Sequence, residues 1–284
     1  MEHLYFDGHD LRAITTLKMS QFPQRVVCLS AEAADWLWRI GAWEQVTGVT
    51  AFFKPPPGAA PKPRVSGFST AQLDAVQRLN PDLIISFSDV QAQLAAEFIQ
   101  RGFPVLATNQ RTLAEIESTL ALLARVMGCE DQGGRLLNEF RQRLTPVSGD
   151  LHRPRVYFEE WNEPLISGIA WVSDLIERAG GDDIFAELGA KRAAPERVVS
   201  PEQIRGANPD IIFASWCGKP VDFAQIAARP GWNNLAAIRR KRVHELSSDD
   251  VLQPGFRLVY GYEQIKRRIA EAAESKDEVP VHFS

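Results

Sequence analysis

Three carboxylates, Glu159, Glu160 and Glu163, gather with Trp161 and Asn162 at the end of one apolar run, and Cys217 follows Trp216 at the end of another. Clustered carboxylates can hold a hard cation or accept from ligand amides, and a thiol beside a base can act as a nucleophile. Against those roles, the carboxylates read more often as solvated loop residues, and Cys217, like Cys28 inside its apolar strand, as a small packed side chain. No base is patterned near Cys217. The Ser66-Gly67-Phe68-Ser69 turn is not a GxSxG elbow, and neither a GxxxxGK[ST] loop nor a GxGxxG turn after the first strand occurs. His3, His9, His152, His244 and His282 are scattered without ligand spacing, and Cys28, Cys129 and Cys217 form no CxxC pair. A zinc cage, a disulfide framework and a bare-metal site are therefore not expected. What remains is binding. Phe52, Phe53 and Phe68 lie in loops among Pro, Gly and Ser, and Trp161 and Trp216 lie at strand ends, a set suited to a large flat ligand with polar edges. Trp36 and Trp38, in contrast, sit in a helical hydrophobic pattern that makes at least one of them core.

The elements that position these residues repeat. Gln72 to Val76 leads to Asn80-Pro81-Asp82 and the apolar run Leu83 to Phe87; Ser200 to Ile204 leads to Asn208-Pro209-Asp210 and the run Ile211 to Trp216. One offset of 128 residues relates the two copies and carries Asp74 onto Glu202. Proline disfavours helix in the residue before it, so each helix ends at its asparagine. The runs that follow are short and rich in β-branched and aromatic residues, as buried parallel strands are. Around them, Arg25 to Leu29 and Gln45 to Val49 read as strands, Glu32 to Ile40 as a helix closed by Gly41, and Phe52 to Pro63 as a proline-rich loop. Ala71 to Leu79, Gln91 to Arg101 and Leu113 to Met127 read as helices, and Val105 to Ala107 as a strand. The alternation gives an α/β fold of two similar lobes, each with a mainly parallel sheet flanked by helices. Asp131 to Leu144, with Leu136, Leu137, Phe140 and Leu144 at helical spacing, joins them as a long helix and implies only modest lobe motion. The chain thus divides into an N-terminal extension (1–23), an N-terminal α/β lobe (24–129), a connecting helix (130–150), a C-terminal α/β lobe (151–270) and a tail (271–284).

The chain has 284 residues, 45% of them hydrophobic, and a formal net charge of −4. That size accommodates two domains, and that charge gives no general attraction to nucleic acid. The basic run Arg239 to Arg242 reads as a turn before the strand Val243 to Leu246. No run is long enough to span a membrane, so membrane insertion is not expected. Residues 1 to 22 carry Glu2, Asp7 and Asp10 and no uninterrupted apolar segment, unlike a secretory leader. The protein is expected either to work in the cytoplasm or to have its leader outside this chain.

Arg25 to Glu32, the two Asn-Pro-Asp units, Ile166-Ser167-Gly168 with Trp171-Val172, Ala179-Gly180-Gly181 and Gln253 to Arg257 together resemble the iron-siderophore, haem and vitamin B12 class of ABC-transporter substrate-binding proteins, over about residues 24 to 270. The chain looks most like the cobalamin-binding members. The resemblance implies a class III periplasmic-binding-protein-like fold, a monomer with a shallow inter-lobe cleft, periplasmic location, and delivery of a corrinoid ligand to an ABC permease dimer, with no catalytic cofactor. Haem or ferric siderophore as the ligand, and a cytoplasmic corrinoid-binding protein without a transport role, are the alternatives.

Carried over residue by residue, the resemblance implies ligand contacts from Ala31, Glu32, Phe52, Phe53 and Phe68 in the first lobe. In the second it implies Trp161, Leu165, Trp216, Cys217, Gly218, Asp249, Asp250 and Gln253, with Leu165 standing where an aromatic residue is expected. It also implies that Asp74 and Glu202, one per lobe, dock on the permease; both would serve equally as helix-cap carboxylates. No tyrosine falls in these loops, and only Arg64, Arg192 and Arg197 lie near them, so corrinoid is placed ahead of haem and siderophore.

Overall fold

The computed structural model describes residues 21–148 and 152–274, so most of the N-terminal extension and of the tail lies outside the described residues. The first lobe runs β1 (Val26–Cys28), α1 (Ala31–Arg39), β2 (Val46–Thr50), β3 (Arg64–Ser66), α2 (Leu73–Arg78), β4 (Leu83–Phe87), α3 (Ala92–Gln100) and β5 (Val105–Thr108). Its five strands are all parallel, in the order β3-β2-β1-β4-β5. The short β3, hidden in sequence behind the proline loop, adds the edge strand.

Two helices, α4 (Leu113–Val126) and α5 (Glu130–Arg143), carry the chain across to the second sheet. The second lobe then runs β6 (Arg155–Asn162), β7 (Leu165–Ser167), α6 (Ala170–Arg178), β8 (Asp182–Asp183), α7 (Ala186–Gly189), α8 (Pro201–Ala207), β9 (Ile211–Ala214), α9 (Phe223–Ala227), α10 (Ala236–Arg239), β10 (Val243–Glu245), α11 (Ser248–Val251) and α12 (Leu258–Glu274). Its sheet has the order β10-β9-β6-β7, with β8 also on β6, and only the β6–β7 hairpin is antiparallel. Strand β9 stops at Ala214, so Trp216 stands past the sheet edge rather than within the strand.

The repeated Asn-Pro-Asp has a structural reason. Asn80 and Asn208 turn left-handed, with φ of 46° and 45°, the conformation that asparagine tolerates at a helix end. The aspartate then reaches back to the sheet's first strand. Asp82 accepts from the backbone N–H of Gln24 and of Arg25, both at 2.8 Å, while its own N–H donates to the Arg25 carbonyl at 3.0 Å. Asp210 accepts from the Arg155 N–H at 3.1 Å and donates its N–H to the Arg155 carbonyl at 2.8 Å. Each turn thereby fixes where β1 meets β4 and where β6 meets β9.

The lobes share one apolar core. α4 starts in a Thr112–Glu115 capping box, and α5 crosses it so closely at Gly133 that a Cβ there would lie 2.4 Å from that of Ala124. Trp36 of α1, fully buried, donates its indole N–H to the Leu120 carbonyl at 2.9 Å and stacks 6.1 Å from Phe256, which also meets Phe140 of α5. Phe158 and Phe213 of the second sheet belong to the same apolar cluster.

The clamps differ in burial: Asp82 is exposed and Asp210 buried. Water can replace the first carboxylate but not the second, so Asp210→Ala should cost about 1–3 kcal/mol and Asp82→Ala markedly less. Urea denaturation of the two variants measures the difference, and equal losses would mean that burial does not set the strength of the clamp.

Candidate functional site

The parallel strands of both lobes end at one cleft, as α/β topology requires. It encloses about 790 Å³. Residues just beyond β1 (Leu29, Ser30), at the end of β2 (Thr50) and of β4 (Phe87) face it from one lobe; Trp216, beyond β9, and Glu245, at the end of β10, face it from the other.

Of the residues expected in the site, Ala31, Glu32, Phe52 and Phe68 line the cleft from the first lobe, and Trp216, Cys217, Gly218, Asp249 and Gln253 from the second. Four do not. Phe53 is buried on Trp43, with ring centroids 5.4 Å apart, because the turn from Thr50 to Phe53 sends adjacent side chains to opposite sides. Leu165 is buried in the second-lobe core, where β7 pairs with β6. Asp250 turns from the cleft to Arg257, at 2.5 Å. Trp161 stands outside the lining, half-buried, its indole N–H donating to the Glu163 carbonyl at 2.9 Å.

In the first lobe, Phe52 and Phe68 form an edge-to-face pair at 6.3 Å and stay 46% and 58% exposed, a large apolar area facing the cleft. Gln91 holds this wall in place, and no motif announced it. Its side-chain carbonyl accepts the Phe87 N–H at 2.9 Å, and its amide donates to the carbonyls of Leu29 at 3.1 Å and Phe68 at 2.8 Å, so one buried side chain ties three lining segments together. The Arg64 guanidinium donates to the Ala51 carbonyl and stiffens the Phe52 loop.

The second-lobe wall rests on a carboxylate that sequence reading placed in solvent. Glu159 is wholly buried and receives both Arg229 nitrogens, at 2.6 and 2.9 Å, and the Trp216 indole N–H at 3.0 Å. Trp216 is thereby fixed, 3% exposed, as a rigid part of the wall rather than a free face. Glu160 is likewise paired, with buried Arg197. Lys219 lies 4.2 Å from the Trp161 ring centroid and 5.0 Å from that of Trp216, and donates to Asn162 at 2.6 Å. Cys217 is exposed on the cleft and not packed. Desolvation, with Glu160 and Asp249 nearby, raises its pKa and keeps it a thiol.

The walls meet at two places. At the rim, Lys54 of the first lobe pairs with Asp249 of the second at 2.6 Å, and Gln253 donates to the same carboxylate at 3.2 Å. At the base, Gly255 presses on Glu32, where a Cβ would approach that of Glu32 to 2.7 Å. Glu32 is 8% exposed, and its Oε1 has no hydrogen-bond partner. Burial pushes its carboxyl up to about 7, partly opposed by its own backbone N–H and the Ser30 side chain and slightly reinforced by Asp35. Among the described residues, no three His, Cys, Asp or Glu are grouped to hold a metal ion.

Removing Arg229 would strand the buried Glu159 charge. Arg229→Met should cost about 3–5 kcal/mol, and adding Glu159→Gln should restore part of it. Chemical denaturation of the single and double variants reads this coupling; additive losses would show that the pair is not a unit.

The sequence matches the periplasmic binding protein family over residues 26–249. A vitamin B12-binding protein of Vibrio cholerae is 27% identical over 261 residues, covering 88% of this chain and 91% of that protein. Among solved structures, the periplasmic vitamin B12 binding protein of Vibrio cholerae superposes with a TM-score of 0.69 at 24% identity, over 88% of this chain and 98% of that one. A periplasmic heme-binding protein of Roseiflexus sp. RS-1 gives 0.73 at 21% identity, over 88% and 99%. With two α/β lobes and a cleft at the carboxyl ends of their strands, the chain belongs to the periplasmic binding protein family.

Proposed function

We propose that this protein is a periplasmic, non-enzymatic substrate-binding protein that captures cobalamin or a related corrinoid in the inter-lobe cleft and hands it to an ABC importer. The observation that carries the reading is the chemistry of the lining. Exposed Phe52 and Phe68 offer apolar faces to a large flat ligand, and the described lining residues include no histidine, tyrosine or methionine to ligate haem iron, while Cys217 is held as a thiol. Of the lining cations, Lys54 is paired with Asp249, while Lys219 and Arg64 donate to the neutral carbonyls of Asn162 and Ala51 and keep their charge. The relative named for vitamin B12 binding supports the same choice.

Titration with cyanocobalamin should quench tryptophan fluorescence saturably, while haemin and a ferric siderophore should not compete. Phe68→Ala should weaken cyanocobalamin binding by about 1–2 kcal/mol, since its ring is available without refolding. Tighter binding of haemin than of cyanocobalamin would sink the corrinoid reading.

Transfer to the importer is assigned to Asp74 and Glu202. Each is the second residue of its short helix, α2 or α8, with side chains 83% and 68% exposed and paired with surface arginines, Arg101 at 3.6 Å and Arg205 at 2.9 Å. Surface pairs of this kind contribute little to stability, so both carboxylates are free to exchange partners. Such charges govern orientation and encounter. Asp74→Ala with Glu202→Ala should therefore abolish corrinoid uptake in cells while leaving affinity for cyanocobalamin near wild type. Undiminished uptake by the folded double variant would reduce both residues to helix caps.

A further inference from the structure

The cleft base holds a group that neither the fold nor the aromatic walls require. Glu32 occupies the first turn of α1, lines the cleft, and is nearly buried with Oε1 unpartnered. An orphaned buried oxygen costs free energy that a packed apolar residue would avoid. The alternative to loss is a partner that arrives with the ligand. The first-lobe groups around the carboxyl are Cys28, buried in β1, Ser30 and Asp35, and Asp35 is engaged by Arg39 at 2.6 Å. From the second lobe the neutral Pro254-Gly255 segment closes over it, with the Pro254 carbonyl already taken by the Gln110 amide at 3.2 Å. The other charged groups of the cleft are Lys54, Arg64, Lys219, Glu245 and Asp249; Lys54 and Asp249 neutralise each other, and Glu245 accepts the Val221 N–H. Among the described residues no cation is paired with Glu32, so the site favours its uncharged form.

We propose that Glu32 acts as a neutral carboxylic acid that turns Oε1, shut off from solvent in this structure, toward the ligand and pairs with a carboxamide on the ligand's edge, its O–H donating to the amide carbonyl and its Oε1 accepting an amide N–H. This rests on the corrinoid reading above, and it adds a selection rule. A carboxamide satisfies both oxygens of the acid, whereas a carboxylate-edged ligand such as haem can accept the O–H but has no N–H for Oε1 and must itself be desolvated. Gly255 belongs to the same device: any side chain there would displace Glu32.

Burial under a ligand penalises the ionised form further, so the complex holds its proton to higher pH than the free protein does. The free carboxyl titrates near 7. Affinity is therefore full below that pH and falls as pH rises through it. The test measures cyanocobalamin affinity of the full chain at pH 6 and pH 8, in wild type and Glu32→Gln. Wild type should bind roughly ten-fold more weakly at pH 8, one pH unit of ionisation. Glu32→Gln, an amide that never ionises, should lose the pH dependence and bind several-fold tighter than wild type at pH 8. Carbon NMR of the Glu32 carboxyl should show its titration moving upward when cyanocobalamin is added. Equal wild-type affinity at both pH values, or a pH dependence that persists in Glu32→Gln, would overturn the assignment while leaving the corrinoid reading intact. Absence of cyanocobalamin binding at either pH would overturn both.

Discussion

Trp36 cannot leave its place without disturbing both lobes. Its ring lies between α1, the crossing helices α4 and α5, and Phe256 beyond the second sheet, and its indole N–H is committed to the Leu120 carbonyl. The core built around it runs without interruption from Val26 and Cys28 of β1 to Phe158 and Phe213 of the second sheet. Interiors of this kind are packed at crystal-like density and resist sliding. Trp171 adds a second tie, donating to the Val251 carbonyl at 2.8 Å directly under the cleft wall. The width of the cleft is therefore a property of the core, and the ligand meets two walls held at a set distance.

The carboxylates show how the same residue type serves opposite ends. At the amino ends of the strands, Asp82 and Asp210 hold backbone N–H groups and define the sheets. At the carboxyl ends, Glu159 and Glu160 hold arginines and define the wall of the cleft. A buried ion pair yields less stability than well-packed apolar residues would, but breaking it is expensive, so it specifies one arrangement. That is the value of Glu159: Trp216 has one position because its N–H has one acceptor there.

Local pattern made the strands and their turns legible. Leu83 to Phe87 was bounded by a proline turn on one side and polar residues on the other, and the structure begins and ends β4 at those residues. The loop aromatics were legible only as a group. Phe52 and Phe53 are neighbours with the same composition around them, and the turn geometry alone decides that one faces the cleft and the other Trp43. Glu159 was misread because its partner Arg229 lies 70 positions away, and nothing in a single sequence pairs them. The Lys54–Asp249 contact, at a separation of 195, was invisible for the same reason. Leu165 came from likeness to relatives rather than from its own chemistry, and its place in the β6–β7 hairpin buries it.

With the lobes held by their core, access falls to side chains at the rim. Lys54 is 78% exposed along its side chain, whereas Asp249 is 15% exposed and braced by Gln253, so the lysine is the partner free to swing. An exposed pair contributes about 0–1 kcal/mol, little more than thermal energy, and cannot bar a ligand that buries Phe52 and Phe68. It can orient one. A neutral, amide-edged ligand leaves the pair intact at one margin of the cleft, whereas an anionic ligand competes with Asp249 for Lys54. On the proposed reading, rim and base favour the same kind of ligand, the rim because a neutral edge leaves the Lys54–Asp249 pair undisturbed and the base because a carboxylate has no N–H to give the unpartnered Oε1 of Glu32.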